Sequence, residues 1–257
     1  GMKPITIIKV GGKIVEQPDT LNQLLNDFAN IPGDKLLVHG GGRSATQMAA
    51  RLGIETRMID GRRVTDSEML QVVTMVYGGL VNKNIVAQLQ SRGINALGLT
   101  GADMNVIQSH RRPANPIDFG FVGDVDKVNG SQLNNIISQG IVPVMAPLTH
   151  DRQGSLLNTN ADTIAGEVAK ALTPYYDVTL IYCFEKAGVL ADENDDNSVI
   201  PHITYEDFLR LKDEGVIQGG MIPKLQNSFD AIEKGVAQVI ITKADAIGND
   251  AGTKITK

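Results

Sequence analysis

Strand-length apolar runs alternate with helix-length amphipathic stretches from one end of the 257-residue chain to the other. The runs are "ITIIKV" (5–10), "KLLVH" (35–39), "NALGLT" (95–100), "IVPVMAP" (141–147), "VTLIYC" (178–183) and "AQVIIT" (237–242). Most are almost continuously apolar, the pattern of strands buried on both faces of a parallel sheet. Helical stretches lie between them at 19–30, 42–52, 66–91, 131–139, 161–172, 204–214 and 222–234. This order predicts an α/β chain, a three-layer αβα sandwich whose mainly parallel central sheet carries helices on both faces. The length suits one large domain or two lobes.

Two stretches predict more than their type. In the 66–91 helix, Thr65 and Glu68 have capping-box spacing, and Met69, Val72, Val73, Val76 and Leu80 follow a helical period. The Gly78–Gly79 pair weakens that helix and would let another backbone approach. A dimer contact is expected there, against the alternative of a helix buried within its own lobe. "MNVIQSH" and "FGFVGDVDKV" flank the Pro-rich "RRPANP" and predict an outward β-hairpin.

Composition narrows the function. A net charge of −5 argues against general nucleic-acid binding, which needs a basic face, but not against small anions held by local lysines and arginines. A lone cysteine, Cys183, excludes an internal disulfide, argues against a thiolate metal site and fits a reducing cytoplasm. No run reaches the ~18 apolar residues of a membrane span, and no secretory leader pattern is present.

Basic residues gather at glycine turns. "IIKVGGK" ends a strand in Lys9, Gly11 and Gly12; "HGGGRSAT" places Gly40, Gly41 and Gly42 before a helix; "GGMIPK" brings glycines and Lys224 to another helix start. In "LLNTNAD", Asn160 is the expected N-cap and Asp162 sits in the first helical turn. Each motif alone has a plain structural reading: glycines supplying positive φ, a solvated lysine, an aspartate answering a helix dipole. Together, beyond the carboxyl ends of parallel strands, they predict a site for two anions. "HGGGRSAT" fits neither G-x-G-x-x-G nor the P-loop pattern, which disfavours both. His39 is expected to be a buried, hydrogen-bonded histidine, and His110, His150 and His202 surface residues without partners.

The ordered set "IIKVGGK", "VHGGGRSATQMAARLGI", "DGRRVTD", "DFGFVGDVDKVN", "LLNTNAD", "GGMIPK" and "DAGTKI", covering residues 5–256, closely resembles the N-acetylglutamate kinases of the amino-acid kinase family. The resemblance implies a carbamate kinase-like fold in two lobes, residues 1–174 binding acylglutamate and forming the dimer, residues 175–257 binding ATP. It implies phosphoryl transfer from ATP, with Mg²⁺ held mainly by phosphate oxygens, to the γ-carboxylate of an N-acylglutamate, the second step of arginine biosynthesis. Lys9, Lys224 and Asp162 fall on the family's catalytic positions; Gly41, Gly42, Arg63 and Asn158 on its substrate positions; Gly11, Gly12, Glu185, Lys186, Gly188, Gln218 and Gly220 on its nucleotide positions. No residue is assigned to a metal. Arginine-inhibited members carry an extra N-terminal helix that links dimers into hexamers; here Met2 stands three residues before the first strand, so an arginine-insensitive cytoplasmic homodimer is expected.

The residue types suit that chemistry. A γ-carboxylate with a pKa of about 4.3 is already an ionised nucleophile at neutral pH, so no general base is needed. The difficulty is charge, which two lysines and backbone amides can neutralise while Asp162 positions them. The chain departs from the family pattern at Phe184-Glu185-Lys186, where a hydroxyl residue and an aspartate are usual, and at Arg62, where an apolar residue is usual. The first leaves a non-catalytic nucleotide or amino-acid sensor as an alternative. The second leaves two readings: Arg62 faces solvent, or it meets an extra negative group such as the terminal carboxylate of N-succinyl-L-glutamate.

Overall fold

The computed structural model describes all 257 residues, Gly1–Lys257. An eight-stranded sheet runs in the order His202–Ile203, Thr253–Ile255, Gln238–Lys243, Asp177–Phe184, Pro4–Val10, Asp34–His39, Val142–Met145, Ala96–Leu99. Neighbours are parallel except Thr253–Ile255 against Gln238–Lys243. The pleat sends Ile7 and Ile8, both without exposed surface, to opposite faces. Ile7 joins a core of 31 buried residues with helices Ala161–Leu172 and Met221–Glu233. Ile8 joins one of 27 with helix Pro18–Ala29 and the long helix after Asp66, so both faces are covered, as the unbroken apolar runs require.

The chain starts on the central strand, Pro4–Val10, builds outward through Asp34–His39, and returns to the other side at Asp177–Phe184. The sheet therefore reverses its winding around Pro4–Val10, and the crevice beyond that strand's carboxyl end is the favoured ligand position of an open α/β sheet. A smaller four-stranded sheet, Leu156–Asn158, Leu148–His150, Ile107–Arg111 and Gly123–Val128, contains the expected hairpin. A short hairpin pairs Met58–Ile59 with Arg62–Arg63.

The long helix differs from expectation at both its start and its middle. Its N-cap is Asp66, whose carboxylate accepts from the Met69 N–H at 2.8 Å. Thr65 cannot serve, because its backbone is held extended by Phe119 and Phe121 and its hydroxyl donates to the Arg63 carbonyl. Between Ser67–Val73 and Asn82–Gln90 the helix widens into a π turn, Thr74–Val81, containing both glycines. A Cβ at Gly78 would lie 3.5 Å from Leu148 Cδ1, whereas one at Gly79 would meet nothing within 4 Å. The close approach at Gly78 is thus made by the chain's own small sheet, and Gly79 faces open surface.

Candidate active site

Two glycine turns meet beyond the sheet. Gly40 N–H donates to the Val10 carbonyl at 2.9 Å. A Cβ at Gly40 would sit 3.1 Å from Gly12 N, and one at Gly12 would sit 3.4 Å from Gly42 N. Side chains are missing from these turns because the backbones pack against each other. Positive φ is not the reason at the first turn: Gly11 has φ −68° and Gly12 is also outside that region. It does apply at Gly41, with φ 153°, where a Cβ would also press to 3.1 Å from the Tyr77 ring. Gly12 and Gly42 open the helices Gly12–Val15 and Gly42–Arg51, so their N–H groups have no intrahelical acceptor and can receive an anion. The Gly11 N–H is instead turned toward the Cys183 carbonyl at 3.4 Å.

His39 supports the second turn from beneath, as expected of a buried histidine. It is fully buried; Nδ1–H donates to the Gly40 carbonyl at 2.7 Å, and Nε2 accepts from Asn82 Nδ2 at 3.1 Å. Burial, only partly offset by the Gly40 carbonyl, lowers its pKa from 6.5 to about 4. The unfolded imidazole therefore binds a proton first as pH falls, and the folded state loses stability between pH 6.5 and about 4. The loss expected from this group is roughly 3 kcal/mol. Urea melts of wild type and His39→Gln across that window check this: the wild type should show the steeper pH dependence, and equal slopes would contradict it.

At the end of the central strand Lys9 meets two elements from distant parts of the chain. Asp162 is placed by helix Ala161–Leu172, whose N-cap Asn160 accepts from the Thr163 N–H at 3.0 Å. Lys224 lies in the first turn of Met221–Glu233. Lys9 Nζ stands 2.9 Å from Asp162 Oδ1, and Lys224 Nζ 3.3 Å from Oδ2. The Lys224 contact is also a hydrogen bond, whereas the Lys9 contact is an ion pair off hydrogen-bond alignment, which leaves Oδ1 without an aligned donor. Burial alone would raise the Asp162 carboxyl, but the two ammoniums outweigh it and hold its pKa below the ordinary value. Burial lowers the Lys224 pKa, and Asp162 offsets only part of that. The Tyr182 and Phe184 rings stand 5.0 and 5.5 Å from Lys224 Nζ, so the unusual Phe184 gives this ammonium an aromatic neighbour.

Arg63 supplies the other charge. It is almost completely buried, and its Nη2 donates to the Gly42 carbonyl at 2.8 Å and to Thr46 Oγ1 at 3.0 Å. No carboxylate pairs with it, so a buried guanidinium faces the cleft with no opposite charge. Asn158, held by Thr65 Oγ1 at 3.1 Å, completes that wall. Lys9, Gly12, Gly41, Gly42, Arg63, Asn158 and Asp162 line one cleft of about 220 Å³.

The remaining sequence candidates lie away from that cleft's wall. Glu185 pairs with Lys13 at 2.7 Å and Lys186 with Asp196 at 3.6 Å, both exposed. Gly188 is a packing glycine, since a Cβ there would lie 2.7 Å from Thr253 Oγ1. Gln218 is exposed, and Gly220 caps Met221–Glu233 with no side-chain bond. Sequence reasoning missed Tyr77, which lines the cleft from within the π turn and carries no motif. The three other histidines do have partners: His110 meets Asp126 at 2.6 Å, His150 meets Asn105 at 2.7 Å and His202 meets Thr256 at 2.5 Å.

Glycine turns, two lysines and an aspartate thus gather where this open α/β sheet reverses its winding, the ligand position of such sheets. The amino acid kinase family model matches residues 4–243, and the chain belongs to that family. It is 69% identical over 253 residues to a Bacteroides fragilis protein named acetylglutamate kinase, covering 98% of this chain and 97% of that one. Among solved structures, smu.665 from Streptococcus mutans is similar at 30% identity and TM-score 0.79, with 98% of each chain covered. Carbamate kinase from Giardia lamblia bound to AMP-PNP shares the fold, at 14% identity and TM-score 0.69, covering 100% of this chain and 99% of that one.

Proposed function

We propose that this chain transfers the γ-phosphoryl group of ATP to the γ-carboxylate of N-acetyl-L-glutamate, giving the acyl phosphate of the second step of arginine biosynthesis. The observation that carries the reading is Asp162 held between Lys9 and Lys224, lining a cleft that the unpaired Arg63 also lines. The relatives named acetylglutamate kinase support the substrate.

In this reading Arg63 and Asn158 take the substrate's α-carboxylate, and the γ-carboxylate points toward Lys9. A γ-carboxylate oxygen attacks the γ-phosphorus, the bond to the β–γ bridging oxygen breaks, and the electron pair leaves on ADP. Lys9, Lys224 and the Gly12 and Gly42 amides offset the charge that spreads over the transferring oxygens. Asp162 keeps the ammoniums in place and takes no proton, consistent with its lowered pKa. No three His, Cys, Asp or Glu side chains come together as a metal cage, and Asp162 is occupied by lysines. That donor set fits Mg²⁺ arriving on the triphosphate, where it would neutralise phosphate charge. Residues 1–174 then hold the acylglutamate, and residues 175–257, through Glu185, Lys186, Gly188, Gln218 and Gly220, hold ATP with Gly11 and Gly12. ADP release that requires N-acetyl-L-glutamate tests the reading; release that ignores it, or no turnover in a folded protein, refutes it.

The electrostatics give a further expectation. Because Asp162 raises the Lys224 pKa, Asp162→Asn should move the alkaline limb of kcat/KM to lower pH while removing no acidic limb. A lost acidic limb would make Asp162 a base instead. For assembly, Met75 and Leu80 are exposed beside the open Gly79, which supports a homodimer across the π turn. Light scattering should give twice the 27.6 kDa chain mass, falling to one chain in Leu80→Asp; a wild-type monomer refutes it.

A further inference from the structure

The π turn of the long helix brings one aromatic side chain to the cleft. Tyr77 is almost wholly buried and shares the cleft wall with Gly41, Arg63 and Asn158. Its ring lies where Gly41 lacks a side chain: a Cβ there would sit 3.1 Å from Tyr77 Cδ1 and 3.2 Å from Cε1. The glycine turn therefore pins the ring. The i→i+5 bonding of a π turn sets its side chains off the regular α-helical positions, and such turns recur at functional sites.

The Tyr77 hydroxyl makes no aligned hydrogen bond within the protein. It is also not one of the sealed, unpartnered polar atoms, which are Ser109 Oγ, Asp162 Oδ1 and Thr242 Oγ1, so its oxygen is open to the cleft. Arg63 stands close enough for its charge to act on the phenol, but its terminal nitrogens are turned elsewhere: Nη2 to Gly42 and Thr46, Nη1 to Thr56 and Met69. Burial raises the Tyr77 pKa and Arg63 offsets only part of that, so the phenol keeps its proton at neutral pH and is a donor. A charge without a carboxylate and a donor without an acceptor thus stand side by side. One carboxylate would satisfy both.

Building on the kinase reading, we propose that Tyr77 is a substrate-binding residue whose hydroxyl donates to the α-carboxylate paired with Arg63. With the γ-carboxylate at Lys9, the α-carboxylate is the negative group left for this wall. Arg63, its terminal nitrogens already engaged, supplies the opposite charge, and Tyr77 supplies an uncommitted donor that the Gly41 turn holds in place. The bond is charge-assisted and shielded from water, which makes it stronger than a neutral contact. Tyr77 has no part in the cluster of Lys9, Asp162 and Lys224, so its hydroxyl sets binding and leaves the transfer step alone.

Tyr77→Phe removes one oxygen and keeps the ring against Gly41. KM for N-acetyl-L-glutamate should rise roughly ten- to a hundred-fold, the range for a hydrogen bond to a charged group, while kcat and KM for ATP stay near wild type. A second readout uses 4-acetamidobutanoate, the same molecule without its α-carboxylate. Wild type should favour N-acetyl-L-glutamate in kcat/KM, and Tyr77→Phe should narrow that preference by the same factor. General damage to the cleft would lower both compounds alike and leave the preference unmoved. Tyr77→Met, which fills the space without a hydroxyl, should repeat the result if the Phe variant fails to fold. An unchanged KM, or a preference that does not narrow, would overturn the proposal while leaving the kinase reading intact; where the analogue is turned over by neither protein, KM decides alone. Failure of the wild type to phosphorylate N-acetyl-L-glutamate would overturn both.

Discussion

Replacing either Lys9 or Lys224 with methionine should lower kcat by about 10²–10³, the scale of losing one preorganised donor to the charge that develops in the transition state. Methionine keeps most of each apolar stem, so the change is chiefly the loss of an ammonium. The two sites should respond alike, because each lysine reaches one oxygen of the same carboxylate. KM should move less than kcat, since the charge to be offset grows during transfer. ADP release measured alongside thermal melts checks this. A folded variant with near-normal kcat would remove that lysine from the mechanism.

Arg63→Lys is expected to raise KM for the acylglutamate by ~10²–10³ while leaving KM for ATP close to wild type, the scale of losing a buried, bidentate charge contact. The exchange is not conservative here. An ammonium can present one point of charge, whereas the planar guanidinium bonds the Gly42 carbonyl and Thr46 together, reaches Thr56 with its other terminal nitrogen and lines the cleft. The same bonds fix the Gly42 turn, so some loss in kcat should accompany the rise in KM. Initial rates over both substrates separate these effects. An unchanged KM for the acylglutamate would show that its carboxylate binds elsewhere.

The sheet was readable because its strands are buried on both faces, so runs such as "VTLIYC" carry the signal without help from alternation. The short strands Met58–Ile59, Leu148–His150 and Leu156–Asn158 were not, since two or three residues cannot display a period. The π turn is invisible for a related reason: its apolar residues fit an α-helical repeat equally well. Thr65 and Glu68 matched a capping box by spacing, but pairing of Thr65 with the Phe119–Phe121 segment decided the N-cap. At the site, each motif predicted an anion-handling turn, yet the meeting of residues 9, 162 and 224 follows from strand order and not from spacing. The ordered resemblance named those three, and the distances show why the types matter together. Arg62 stood out in sequence only as an extra charge; its place on the cleft wall needed the fold.

The most direct measurement of the proposed reaction follows one oxygen. N-acetyl-L-glutamate labelled with ¹⁸O in its γ-carboxylate is turned over with ATP and Mg²⁺, and hydroxylamine is added to intercept the acyl phosphate. If a γ-carboxylate oxygen attacks the γ-phosphorus, that oxygen bridges carbon and phosphorus in the product. Hydroxylamine then takes the acyl carbon, leaving a γ-hydroxamate and inorganic phosphate that carries one ¹⁸O from the substrate. Labelled phosphate together with the hydroxamate is the expected result. Unlabelled phosphate without hydroxamate would mean that the phosphoryl group passes to water, and would contradict the assignment of Lys9, Asp162 and Lys224 to carboxylate phosphorylation.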